Sequence, residues 1–194
     1  MGIEFELKYT ATEQQQQALL AAYPLEYQSY RMATTYYDTP SGALSAKKVT
    51  LRRRMENDLS VCTVKTPVST YGRGEWECLC DNIEIGLPEL CKLGAPEELL
   101  AIAAEGIVEV CGAKFLRQAA PVTFRDSQLE IAVDKGLLLG GGKELPLIEI
   151  EVELKEGNPE DAVAFGALLV SRFGLVAESR SKFRRALALA KGEL

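Results

Sequence analysis

Residues 2–10 read GIEFELKYT, with Glu4, Glu6 and Lys8 alternating with Ile3, Phe5, Leu7 and Tyr9. On an extended chain successive side chains point to opposite sides, so the charges share one face and the bulky groups share the other. In an open sheet the apolar face would pack on a core and the charged face would meet water. Whether that holds here depends on what the other strands carry.

Period-two charge recurs along the chain: at Arg52 and Arg54, at Arg73, Glu75 and Glu77, and at Glu149, Glu151 and Glu153, with Lys65 and Asp134 on further strands. The interleaved residues are mostly apolar, as in Ile148, Ile150, Val152 and Leu154. The charged faces are also sorted by sign, acidic on the first and last long strands and basic between. Carboxylates at i and i+2 lie about 7 Å apart and repel by about 2 kcal/mol at an effective dielectric of 20. A cation partner would relieve that repulsion. If the strands curl into a barrel with these faces inward, the interior must be solvated or liganded, because an unpaired charge there costs several kcal/mol.

The order of elements supports such a sheet. Thr12 with Gln15 forms a capping-box pattern ahead of a helix near 12–23. Strands follow near 27–37, 49–56, 59–66 and 72–80, then short helices within 88–106. Further strands are expected near 111–125, 128–134 and 145–155, with a hairpin around Gly140, Gly141 and Gly142, and helices near 159–173 and 180–191. Strand follows strand without strict βα alternation, so the fold class is α+β. No repeat or linker divides the chain, which reads as one domain over residues 1–194.

Composition narrows the chemistry. The 194 residues contain no histidine, and the five cysteines form no C-x-x-C pair, which removes zinc sites and Ser-His or Cys-His nucleophile systems. A net charge of −6 argues against coating nucleic acid or an anionic membrane. There is neither an apolar run long enough to span a bilayer nor a signal-peptide pattern, so a cytoplasmic protein is expected.

These stretches together resemble the CYTH family, also called triphosphate tunnel metalloenzymes. EFELK resembles its E-x-E-x-K signature, TTYYDTP its Y-[FY]-D-T-P strand end, LRRR its L-R-x-R, TVKTP its T-x-K strand and RGEWE its R-x-E-x-E. LEIAVDKG is similar to its aspartate-bearing strand, IEIEVELKEG to its E-x-E-x strand and SKFRR to its S-K-x-x-R. They occur in family order across residues 4–185, most like the family's bacterial inorganic triphosphatases. Two departures stand out: Arg53 occupies the position between the two family arginines, where alternation points it outward, and the usual Arg-Gly-Tyr is here Arg185, Ala186 and Leu187.

The resemblance implies a closed antiparallel eight-stranded β-barrel with a charged interior and helices packed on its outside. It also implies a divalent metal and a triphosphate-containing small-molecule substrate. Oxygen ligands from Glu4, Glu6, Asp134, Glu149, Glu151 and Glu153 suit Mg²⁺ or Mn²⁺; Glu151 and Glu153 match the family's acidic strand best, and Glu149 matches a shifted register. Lys8, Arg52, Arg54, Lys65, Arg73, Arg117, Lys182 and Arg185 are expected to clamp phosphoryl oxygens. Glu4, Glu6, Lys8, Glu75 and Glu77 are expected to be catalytic: one metal would neutralise phosphate charge, and a second metal, or Glu75 or Glu77, would orient and deprotonate water. The expected reaction is hydrolysis of inorganic triphosphate to phosphate and pyrophosphate. Alternatives on the same scaffold are hydrolysis of thiamine triphosphate or nucleoside triphosphates, adenylate cyclase activity, and non-catalytic polyphosphate binding. No aromatic sandwich for a base is evident, since Tyr36, Tyr37, Tyr71 and Trp76 read equally well as packing residues.

Overall fold

The computed structural model describes residues 2–69 and 72–194, with side-chain surroundings for residues 5–67 and 74–194. Its elements run β1 (Gly2–Thr10), α1 (Glu13–Ala22), β2 (Gln28–Asp38), α2 (Ala43–Ala46), β3 (Thr50–Glu56), β4 (Leu59–Ser69), β5 (Gly72–Leu79), α3 (Ile83–Lys92) and α4 (Glu98–Ala103). They continue with β6 (Val108–Phe124), β7 (Ser127–Gly140), β8 (Lys143–Glu156), α5 (Pro159–Phe173), β9 (Val176–Ala177) and α6 (Lys182–Lys191). The capping box forms as the sequence implies: Gln15 N–H donates to Thr12 Oγ1 at 3.2 Å, and Thr12 N–H donates to Gln15 Oε1 at 2.7 Å. Between β7 and β8 the chain reverses through Gly141 and Gly142, both at positive φ (59° and 74°), as a two-residue hairpin turn requires. Because that turn is so tight, β7 and β8 run several residues longer than the sequence pattern suggests.

All pairings are antiparallel, in the order β5-β4-β3-β2-β6-β7-β8-β1-β9. The closed eight-stranded barrel expected from the sequence does not form. Among the described residues β1 meets β5 only through Gly2, Ile3 and Glu4, opposite Glu75, Gly74 and Arg73. Since β5 begins at Gly72, β1 beyond Phe5 has no β5 residue to pair with on that edge. Farther along, Tyr9 and Thr10 take the short β9 instead. The result is a nine-stranded sheet that curls without closing along its length.

Helices cover much of the convex face. The outward side chains of β3, β4 and β5, among them Leu51, Val64 and Trp76, pack with Ile83, Leu87, Leu90 and Leu99 of α3 and α4. Those of β7, β8 and β1, among them Ile131, Ile150, Val152 and Tyr9, pack with Leu19 of α1 and Phe165 and Leu169 of α5. Each such side chain removes apolar area from water at about 25 cal/mol per Å², the main stabilising term.

The second correction concerns α6, which lies on the concave face and not outside. Its Phe183 and Ala186 join Met32, Tyr36, Ala113, Phe115, Leu138 and Leu147 in one buried cluster. Along β6, β7 and β8 the inward positions change from Arg117, Asp134 and Glu149 at one level to Phe115, Gly136 and Leu147 at the next. The apolar, small-residue half of the concave face thus receives the helix, and the charged half stays open. Among the described residues no helix is long and apolar enough to cross a membrane.

Candidate active site

Strand register assembles the charged face level by level. One cross-strand row carries Arg117, Asp134, Glu149 and Thr10; the next carries Ala132, Glu151 and Lys8; the third carries Glu130, Glu153 and Glu6. On the other half, Glu75 lies opposite Lys65, which lies opposite Thr50, while Glu77, Thr63, Arg52 and Tyr36 form the neighbouring row. Directly opposed residues on one face have Cβ atoms about 5 Å apart, so each row is a chain of contacts.

These rows line a cavity of 420 Å³. Glu6, Lys8, Arg52, Arg54, Lys65, Glu75, Glu77, Arg117, Glu151, Glu153 and Lys182 all reach it, as their alternation implies. Asp134, Glu149 and Arg185 are buried behind that wall and do not line it. The side chains of Glu4 and Arg73, and Tyr71, lie outside the described residues. Arg53, as alternation predicts, does not line the cavity. Among the aromatics, Tyr36 lines the cavity, while Tyr37 and Trp76 pack in the convex cluster.

The sequence reading missed Glu56, Glu130 and Lys155, which also line the wall. Each was available from the same alternation: Glu56 is two residues from Arg54, Lys155 two from Glu153, and Glu130 four from Asp134. Tyr30, Met32, Phe115 and Phe183, also on the wall, carry no such charge signal.

Every basic side chain on the wall stands against a carboxylate. Lys8 Nζ is 2.8 Å from Glu6 Oε1, Lys65 Nζ 3.1 Å from Glu75 Oε1, and Arg52 3.6 Å from both Glu75 and Glu77. Lys155 pairs with Glu153 at 2.8 Å and Glu130 at 3.4 Å, and Arg54 pairs with Glu56. Burial works to lower the Lys8 pKa, but Glu6 and the more distant Glu151 outweigh it and hold the ammonium above its ordinary value. Arg54 differs. Burial, then the adjacent Arg52 and Arg117, pull its pKa down against the lone opposition of Glu56 and Glu77. Its buried Nε has no hydrogen-bond partner.

At the foot of α6 the pairing is densest. Arg117 is bidentate on Asp134, Nε to Oδ1 at 2.8 Å and a terminal nitrogen to Oδ2 at 2.7 Å, and it also reaches Glu151. Lys182 Nζ stands 2.9 Å from Asp134, 2.7 Å from Glu149 and 2.6 Å from Glu151. Burial pushes the Glu151 carboxyl up, but Lys182 and Arg117 overcome it and hold the group well below the usual carboxylate range. Behind the same residues, the buried Gln16 of α1 donates to the carbonyls of Asp134 at 2.8 Å and Glu149 at 2.9 Å, fixing β7 and β8 from the convex side.

The wall offers two groups of carboxylates to a cation. Asp134, Glu149 and Glu151 place ligand atoms within 4.8 Å of one another, a cluster with the charge a metal needs. Glu6 and Glu153 are cross-strand neighbours that open on the cavity, Glu6 paired with Lys8 and Glu153 with Lys155. Both sets are all-oxygen, the donor chemistry of hard divalent ions.

Known proteins resemble this chain in sequence and fold. The chain is 30% identical over 169 residues to the inorganic triphosphatase of Haemophilus influenzae, an alignment covering 85% of this chain and 47% of that relative, so the chain spans about half the relative's length. The structure superposes on HpAC1 from Hippeastrum, described as having a dominant triphosphatase activity, with a TM-score of 0.66 at 18% identity over 100% of this chain and 96% of that one. It also superposes on the PH1819 protein of Pyrococcus horikoshii with a TM-score of 0.64 at 21% identity, over 97% and 99% of the two chains. Likeness at these identities speaks for the fold. The CYTH domain profile matches residues 2–186, the span that builds both the curled sheet and its charged wall, and the chain therefore belongs to the CYTH domain family.

Proposed function

We propose that the chain is a Mg²⁺- or Mn²⁺-dependent hydrolase of inorganic triphosphate, built as a single CYTH-like domain over residues 1–194. The observation that carries this reading is Arg54: a buried guanidinium with an unpartnered Nε, crowded by Arg52, facing a cavity that also receives Lys8 and Lys65. Such a group favours an anion, and a phosphate chain presents acceptor oxygens along its whole length.

In this reading Lys8, Arg52, Arg54 and Lys65 orient the triphosphate and balance the charge that moves onto the leaving pyrophosphate. Glu6 and Glu153 would hold a divalent ion, with Glu4, two residues before Glu6 in β1, the further candidate from the sequence; bound there, the ion would neutralise charge on phosphoryl oxygens. Glu75, fixed by Lys65 and Arg52, and Glu77, which accepts a hydrogen bond from Thr63 at 3.0 Å, are positioned to take a proton from water. The water oxygen bonds to the terminal phosphorus, the bridging P–O bond breaks, and pyrophosphate leaves with the electron pair. No histidine, serine or cysteine nucleophile is needed.

Phosphate release from triphosphate, ATP and thiamine triphosphate, measured with Mg²⁺, Mn²⁺ or EDTA, tests the proposal. Turnover of triphosphate above the other two, abolished by EDTA, is expected. Cyclic AMP as the main product from ATP would overturn it.

A further inference from the structure

Three carboxylates within 4.8 Å look like a vacancy for a metal, but the cation at their centre belongs to the chain. Lys182 Nζ is 2.9 Å from Asp134 Oδ2, 2.7 Å from Glu149 Oε2 and 2.6 Å from Glu151 Oε1. These are ammonium–carboxylate distances; a Mg²⁺ ion needs its oxygens at about 2.1 Å in an octahedron and could not share the point with Nζ. The other oxygens are engaged as well. Arg117 holds Asp134 Oδ1 and Glu151 Oε2, and Arg185 holds Glu149 Oε1 at 2.5 Å. Every carboxylate oxygen of the trio therefore lies near a cation of the protein, although the buried Glu149 Oε2 makes no hydrogen bond to Lys182 at 2.7 Å, and Lys182, Arg117 and Arg185 equal the trio in number.

The position of Lys182 gives this cage a purpose. It is the first residue of α6, directly after the N-cap Ser181, whose hydroxyl accepts from Arg184 N–H at 3.2 Å. One turn along, Arg185 makes the second tie, and Phe183 and Ala186 bury the apolar side against the concave face. The positive end of a helix is favourably placed next to carboxylates.

We propose that Asp134, Glu149 and Glu151 form a lysine cage that docks α6 inside the curled sheet, with Lys182 as a built-in cation that excludes metal there and leaves Glu6 and Glu153 as the metal-binding carboxylates. The second half rests on the metal site of the proposed function; the first half does not.

Calorimetric titration of the full chain with Mn²⁺ alone, alongside thermal melts in EDTA and in Mn²⁺, tests both halves. Asp134→Asn is expected to keep the wild-type Mn²⁺ affinity to within about twofold, whereas Glu6→Gln weakens it about tenfold or more. Lys182→Met is expected to melt below wild type in EDTA, to bind one more Mn²⁺ per chain than wild type, and to regain stability with it. Loss of Mn²⁺ affinity in Asp134→Asn matching that in Glu6→Gln would overturn the cage, as would a folded Lys182→Met that gains no ion. If Lys182→Met does not fold, the Asp134→Asn titration decides. A wild-type chain that binds no Mn²⁺ would sink the metal-dependent hydrolase while upholding the cage, because the trio would then hold no metal.

Discussion

Gly140 of β7 lies directly beneath Ala186 of α6: a Cβ built on Gly140 would stand 2.4 Å from the Ala186 carbonyl oxygen and 2.8 Å from the Ala190 backbone nitrogen. Both neighbours are backbone atoms of a docked helix, so neither can swing aside. Gly140→Ala must lift α6 from the concave face, a form of overpacking that costs about 1–3 kcal/mol. For a chain of this size the melting temperature should fall by roughly 2–12 °C. Wild-type stability in a thermal melt of Gly140→Ala would show that α6 does not seat as described.

Glu6→Gln keeps the shape of the side chain and removes one negative ligand at the cavity wall, while Lys8 loses its nearest counter-charge at 2.8 Å. Turnover of triphosphate should drop and be partly recovered by raised Mg²⁺ or Mn²⁺. The fold should survive, because β1 is held by its convex partners and not by this charge. Full activity at low metal would remove Glu6 from the site.

On the proposed function, Arg54→Ala and Lys65→Ala act on the substrate side. Each deletes a cation that faces the cavity and, in the proposed function, the phosphate chain, so KM should rise and kcat fall together, with kcat/KM lower by about tenfold or more. Stability should change little in Arg54→Ala, since the variant also relieves crowding against Arg52. Steady-state kinetics paired with melts separates this from simple unfolding.

Burial pushes the thiol of Cys111 up to about 12, and burial together with the neighbouring Cys80 and Cys78 thiols does the same for Cys62. At pH 8 both should therefore alkylate about a thousandfold more slowly than a free thiol of pKa about 8.5. The sign for stability follows from the raised folded values. Below about pH 8.5 both states hold these protons and nothing is lost; above it the unfolded chain releases them first, so stability falls as pH rises towards 12. Peptide mapping after iodoacetamide treatment reads the first effect. A flatter alkaline decline in the melting temperature of Cys111→Ala reads the second.

Much of the wall was legible from alternation. Strand geometry fixes a period of two regardless of what surrounds the strand, so Glu6 with Lys8, Arg52 with Arg54 and Glu151 with Glu153 had to share faces, and the apolar Ile150 and Val152 had to share the opposite one. The same rule applied to every residue would have added Glu56, Glu130 and Lys155. The hairpin at Gly141 and Gly142 and the cap at Thr12 were equally local, since a positive φ or a capping hydrogen bond is settled within a few residues.

What alternation could not give is the partner of each charge and the side of the sheet on which a helix lands. The pairing of Arg117 with Asp134, and of Lys182 with Asp134, Glu149 and Glu151, depends on strand register and on α6 entering the concave face. That entry depends in turn on Gly140 of β7, over which the α6 backbone passes at Ala186 and Ala190, and on the small Ala113 of β6 in the cluster that Phe183 and Ala186 join, residues of two strands that come to one face only after the strands pair. Whether the sheet closes was decided the same way. The charge pattern of β1 is the same in a closed barrel and an open curl, but among the described residues β5 pairs with β1 only at Gly2–Glu4, and β1 next finds a partner on that edge in the short β9, at Tyr9 and Thr10. Local geometry thus determined which residues face inward, and long-range packing decided which cations they meet there.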